Sequence, residues 1–294
     1  MTLFLPRPST RTLYDSVSEG TAAVVIRKYS SSFGLASRLL AEPVRTQVRN
    51  VYALVRVADE IVDNPDPGLG PLPRARMLDW LQDDLRHAMQ SGYSANLVVH
   101  AFARTARSVG IDDAIVDPFF ASMQMDLEAT VHTRESFDRY VHGSAEVVGL
   151  MCLRAFIAAP DASRVASSSY EALAPGARRL GAAFQKLNFL RDLAEDHDVL
   201  RRDYFPGLEV DRFCDEDRDR ILDEIDADLE AAAEVVPVLP ASSRRAVRAA
   251  HATFAELGSR LRQTPAKEIL RSRVRVPHAM KLRLAAGAVL GGRR

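Results

Sequence analysis

Cysteine is almost absent from this chain, and the two that occur, Cys152 and Cys214, stand far apart with no C-x-x-C motif. That excludes a disulfide framework and a cysteine-rich zinc site, and it makes a reducing compartment the default. Net charge is absent as well, since 39 Lys and Arg balance 39 Asp and Glu. The basic footprint of a nucleic-acid binder is therefore missing, and no nucleic-acid partner is expected. Long apolar runs are lacking: stretches such as Val147 to Leu153 fall far short of the roughly 18 residues a membrane span needs, and residues 1–20 carry no continuous apolar h-region. A soluble cytoplasmic protein is expected. Common catalytic signatures are missing too, with no H-E-x-x-H among the seven histidines, no G-x-S-x-G, and no G-x-G-x-x-G after a strand.

The pattern that remains is helical. Fifteen prolines fall almost wholly between segments, leaving proline-free windows at 9–42, 74–117, 119–159, 176–205, 207–236 and 241–264. Because proline breaks helix interiors, these windows are where helices are expected. They are rich in Ala, Leu, Arg, Glu and Asp with apolar residues three and four apart, and they lack alternating Val/Ile/Thr runs and Asn-Gly hairpin signals. An all-α fold follows. A length of 294 residues allows one large domain or two small ones. The stretch Asn64–Pro73 (NPDPGLGPLP) would serve as a linker, but its flanks are alike in composition, so a single all-α domain over 1–294 is the reading.

Two segments carry polar stripes. In VYALVRVADEIVD, Tyr52, Arg56, Asp59 and Asp63 are spaced 4, 3 and 4, and therefore share one helix face. In GAAFQKLNFLRDLAED, Gln185, Asn188, Asp192 and Asp196 are spaced 3, 4 and 4, again on one face. Both stripes end in Asp-x-x-x-Asp and run beside apolar residues, where amides and carboxylates need partners. One such stripe suits a solvated face. Two suit a site, because facing Asp-x-x-x-Asp helices can hold hard divalent cations around a diphosphate, with Arg56, Arg191 and Arg202 on the remaining phosphate oxygens. A polar network between helices is the alternative.

The chain resembles the squalene/phytoene synthase family from about Ser30 to Leu284. The resemblance rests on SSSFGLASRLL, YALVRVADEIVD, YVHGSAEVVGLMC, LGAAFQKLNFLRDLAED, RRDYFP and RVRVP followed by Lys281. It implies an isoprenoid-synthase helical fold with two aspartate motifs facing a central cavity. Matched residue by residue, Asp59, Asp63, Asp192 and Asp196, with Asn188, are the implied metal ligands. Ser30, Ser32, Arg56, Asn188, Arg191 and Arg202 are the implied diphosphate contacts, and Tyr52, Arg56, Gln185, Arg191, Arg202 and Tyr204 the implied catalytic set. Three departures stand out. YVHGSAEVVG replaces a tyrosine-rich YCYYVAGTVG and looks like a bacterial phytoene-synthase-like branch, Arg201 stands where a glycine usually precedes the family arginine, and Phe254 occupies a position often held by tyrosine.

The implied reaction is a head-to-head condensation of two isoprenoid diphosphates through a cyclopropylcarbinyl diphosphate. Mg²⁺ is the implied cofactor, with Mn²⁺ as the alternative ion, and NADPH is not expected. Phytoene from geranylgeranyl diphosphate is the leading product. Squalene or dehydrosqualene from farnesyl diphosphate, a cyclase or chain elongase, and a non-catalytic scaffold of the same fold are the alternatives. Phe33, Val55, Leu150, Phe184, Leu187 and Phe189 are candidate cavity walls, and His197 adjoins Asp196. From Arg260 to Arg294 ten Lys or Arg face one Glu, net +9. The apolar, basic tail Val276–Leu290 is therefore either a last helix packed on the domain or a peripheral contact with an anionic membrane surface.

Overall fold

The computed structural model describes residues 11–30, 32–64, 68–128, 131–162 and 169–291, without the side chain of Ser32. The helices are α1 (Leu13–Tyr29), α2 (Ser32–Ser37), α3 (Val44–Val62), α4 (Pro71–Ser91), α5 (Leu97–Val109), α6 (Asp113–Glu128), α7 (Arg134–Val141), α8 (Val147–Ile157), α9 (Tyr170–Glu195), α10 (Asp215–Val235), α11 (Ala241–Gln263), α12 (Ala266–Ile269) and α13 (His278–Leu290). Among the described residues the only extended pairing is an isolated parallel bridge between Val131 and Asp203. The all-α expectation holds.

Local chemistry sets many of the ends. Thr12 and Asp15 form a capping box at α1, Asn96 caps α5 through the amides of Val98 and Val99, and Ser169 caps α9. Gly92 and Gly110 close α4 and α5 in the left-handed conformation. Two boundaries read from proline were misplaced. Pro118 and Pro175 lie inside α6 and α9, each as the sixth residue. There the missing N–H removes one bond near the helix start, and the packing of both long helices outweighs that loss.

Two apolar clusters flank the molecule's centre. One joins α3, α4, α5, α6 and α8 around Leu54, Phe102, Phe119 and Met151. The other joins α7, α9, α10 and α11 around Phe137, Leu187, Leu222 and Leu261. Between α7 and α8 the backbone widens into a π-helical turn, His142–Glu146. Glycine lets this turn sit close to its neighbours: a Cβ at Gly143 would come within 2.0 Å of the Pro118 carbonyl oxygen, and one at Gly181 within 2.4 Å of the Ala145 carbonyl oxygen. A second π-helical turn, Asp196–Leu200, extends α9.

The tail helix α13 packs against α11 and α2. It buries Ala285 and rests Met280 on the second cluster, leaving Leu282 and Leu290 exposed. No helix among the described residues is long and apolar enough to cross a membrane.

Candidate active site

A cavity of about 590 Å³ opens between the two clusters, and both polar stripes line it. From α3 come Tyr52, Arg56, Asp59 and Asp63; from α9 and its π-helical extension come Gln185, Asn188, Arg191, Asp192 and Asp196; Ser30, Arg202 and Tyr204 complete the set. The helical spacing thus turned both stripes inward. The side chain of Ser32 lies outside the described residues. Phe33, Val55, Phe184 and Phe189 line the wall as expected. Leu150 and Leu187 do not: each points from its helix into one of the apolar clusters and is at most 3 % exposed.

The carboxylates crowd one another. Burial and the neighbouring Asp63 push Asp59 up to about 7. Burial, then Asp192, pushes Asp196 up to about 8 against the pull of Arg202. A fifth carboxylate, Asp126 on α6, also lines the cavity. Burial raises it to about 6, while Arg202 and the hydroxyl of Tyr140 restrain the shift.

Guanidinium groups hydrogen-bond two of the five, Asp63 and Asp192, and ion-pair with two more, Asp126 and Asp59. Arg202, itself 6 % exposed, donates to Asp63 at 2.7 Å and to the Val62 carbonyl at 3.1 Å, and stands 3.5 Å from Asp126. Asp126 in turn accepts from Tyr140 at 2.7 Å and Tyr204 at 3.0 Å, and Tyr204 stacks on Phe189 at 3.9 Å between centroids. Asp192 is gripped on one side by Arg191, whose Nε donates at 2.8 Å. On the other side it meets Arg273, with Nε at 2.8 Å and Nη2 at 2.9 Å. Arg56 pairs with Glu60, lies 3.9 Å from Asp59, and covers the Tyr29 ring at 4.6 Å. Ser30 bonds the Tyr52 side chain and accepts from the Phe33 amide at 3.0 Å.

Carboxylate oxygens with one amide, Asn188, form a donor set that suits a hard divalent cation. Burial first, and the neighbouring carboxylates second, disfavour the charged forms of Asp59 and Asp196, and a bound cation would offset both. No three His, Cys, Asp or Glu side chains among the described residues converge to ligating distance, and Asp63 and Asp192 are paired with Arg202, Arg191 and Arg273.

The sequence reading missed Asp126, Tyr140 and Arg273 as site residues. Tyr140 and Arg273 sit in motifs quoted for the resemblance, but Asp126 lies in a helix with no polar stripe to mark it. His197 turns from Asp196 to Asp203, 2.7 Å away. Arg201 adopts φ 57°, the left-handed conformation that favours glycine. Phe254 stacks on Phe184 at 3.8 Å and adds an apolar ring to the wall.

A squalene/phytoene synthase family model matches residues 26–279. Phytoene synthase 3 of Zea mays is 31 % identical over 58 % of this chain and 39 % of its own length. The 15-cis-phytoene synthase of a Paracoccus species is 28 % identical over 65 % of this chain and 61 % of its own. Presqualene diphosphate synthase of Rhodopseudomonas palustris is 27 % identical over 60 % and 58 %. The chain thus spans about half the length of the relatives it matches. A crystal structure of a dehydrosqualene synthase superposes with a TM-score of 0.79 at 20 % identity, covering 94 % of this chain and 97 % of that one. A squalene synthase from Alicyclobacillus acidocaldarius superposes with 0.71 at 17 %, covering 86 % and 95 %.

Proposed function

The chain belongs to the squalene/phytoene synthase family, and from that premise we propose that it is a prenyltransferase, a phytoene synthase that joins two geranylgeranyl diphosphates head to head as one all-α domain. The observation that carries this reading is a single cavity with five carboxylates and four arginines on a wall otherwise built of apolar and aromatic side chains. A prenyl diphosphate has the same division: a polyanionic head that binds cations and a tail that excludes water.

Asp59, Asp63, Asp192, Asp196 and Asn188 would hold Mg²⁺ or Mn²⁺, which when bound supplies Lewis-acid neutralisation of the departing diphosphate. Arg56, Arg191, Arg202 and Arg273 add fixed positive charge where negative charge develops as the allylic C–O bond breaks. For Arg191 and Arg273 this means exchanging the Asp192 carboxylate for phosphate oxygens, which their planar forks fit equally well. Phe33, Phe184, Phe189 and Phe254 shield the allylic cation from water and present π faces to it. The double bond of the second substrate captures that cation, and loss of a proton leaves the cyclopropylcarbinyl diphosphate. Its own ionisation, rearrangement and a second proton loss give the hydrocarbon. Tyr204 and Tyr140, tied to Asp126, keep Arg202 aimed at the carboxylate end.

A second reading takes farnesyl diphosphate to dehydrosqualene or squalene, favoured by the likeness to presqualene diphosphate synthase. Incubation with farnesyl or geranylgeranyl diphosphate and Mg²⁺, with and without NADPH, followed by hydrocarbon analysis, separates the two. Phytoene made without NADPH is the expected result. A C30 product alone would replace the substrate assignment, and no Mg²⁺-dependent diphosphate release would remove the enzyme reading.

A further inference from the structure

Ser144 sits in the π-helical turn between α7 and α8, is 8 % exposed and lines the cavity. Its hydroxyl is buried and has no hydrogen-bond partner among the described residues. A helical serine ordinarily escapes this by donating to the carbonyl four residues back. Here that carbonyl, of Tyr140, already accepts from Ser122 at 3.1 Å. The backbone on either side has little freedom to change the arrangement, since Gly143 rests on the Pro118 carbonyl and the Ala145 carbonyl rests on Gly181. A buried hydroxyl left unpaired costs roughly 1–3 kcal/mol. Such a group is retained at no loss only if something that enters the cavity satisfies it.

Resting on the prenyl-diphosphate reading, we infer that Ser144 is a ligand contact, its hydroxyl donating to an oxygen held inside the cavity when substrate is bound. The prenyl tails carry no oxygen, so the acceptor is either a diphosphate oxygen or a water trapped beneath the tail. Tyr140, one turn earlier on the same wall, faces Asp126, and Val148, one turn later, is apolar. Ser144 therefore marks the border between the charged and apolar parts of the wall, where the diphosphate joins its chain. The contact would set how deep the diphosphate sits, and with it which carbon faces the aromatic rings.

Calorimetric titration and thermal melting of wild type and Ser144→Ala test this, using Mg²⁺ with inorganic diphosphate and, separately, Mg²⁺ with the unreactive geranylgeranyl S-thiolodiphosphate. Without ligand, the alanine variant is expected to melt at or above the wild-type temperature, because an unpaired hydroxyl has been removed. Its affinity for the thiolodiphosphate is expected to fall about tenfold, the loss of one hydrogen bond to a charged acceptor. Equal weakening toward inorganic diphosphate places the acceptor on the diphosphate; weakening toward the prenylated probe alone places it on a trapped water. Unchanged affinity for both probes, or a ligand-free variant that melts lower, overturns the inference. Failure of the wild type to bind either probe would instead overturn the reading on which the inference rests, and the inference with it.

Discussion

Asp126→Asn tests the electrostatics of the buried end of the cavity. The Asp126 side chain is 4 % exposed, accepts from two tyrosine hydroxyls, and titrates at about 6, above the ordinary carboxylate range because burial outweighs Arg202. The folded protein therefore retains a proton that the unfolded chain releases near pH 4. Stability from this group is complete below that pH and is lost as pH rises through 6. Two pK units correspond to about 3 kcal/mol in all, of which about 1.4 kcal/mol is lost between pH 5 and 8. The substituted amide would not titrate, and it keeps an acceptor for one tyrosine and a donor for the other, so the variant avoids that decline. Urea unfolding of both proteins in EDTA at pH 5 and 8 measures the difference. The variant's stability relative to wild type is expected to improve by about 1.4 kcal/mol over that span. A pH-independent difference, or one that moves against the variant, would mean that Arg202 governs Asp126 more strongly than burial does and would refute the reasoning. Product formation is expected to fall in the same variant, because Arg202 loses a charged neighbour that helps aim it.

Ala at Asp59, Asp63, Asp192 or Asp196 is expected to lower Mg²⁺-dependent product formation about a hundredfold, roughly 3 kcal/mol of transition-state stabilisation, with the circular-dichroism spectrum unchanged; wild-type turnover in any two would sink the ligand assignment. Asp228, 1 % exposed, accepts from Arg179 at 2.7 Å and Lys186 at 2.8 Å and so ties α9 to α10. Asp228→Ala removes the ion-pair partner of the largely buried Lys186 and is expected to destabilise by about 3–5 kcal/mol in denaturant unfolding, and a loss below about 1 kcal/mol would show the triad to be dispensable. Arg201→Gly relieves a left-handed residue and is expected to raise stability by up to about 1 kcal/mol, whereas a loss of that size would mean the Arg201 side chain makes an interaction worth more than the strain.

Helix class and the two stripes were legible in the chain itself because both are local: residues spaced 3 and 4 apart share a face whatever the helix packs against. The same locality made Tyr52, Arg56, Asp59 and Asp63, and Gln185, Asn188, Asp192 and Asp196, readable as two sets that belong together, and the family resemblance added Ser30 and Tyr204. Three-dimensional packing decided the rest. Asp126 belongs to no stripe of charged residues along α6 and becomes a site residue only because α3, α7 and the segment after α9 bring Asp63, Tyr140 and Arg202 to it. Arg273 reaches Asp192 across 81 residues of sequence. Leu150 and Leu187 carry the same apolar signal as the true wall residues, and only the direction each helix faces separates core from cavity. Ser144 shows the limit most plainly. A serine reads as nothing in a sequence, and this one becomes informative only because packing leaves its hydroxyl buried on the cavity wall with no partner among the described residues.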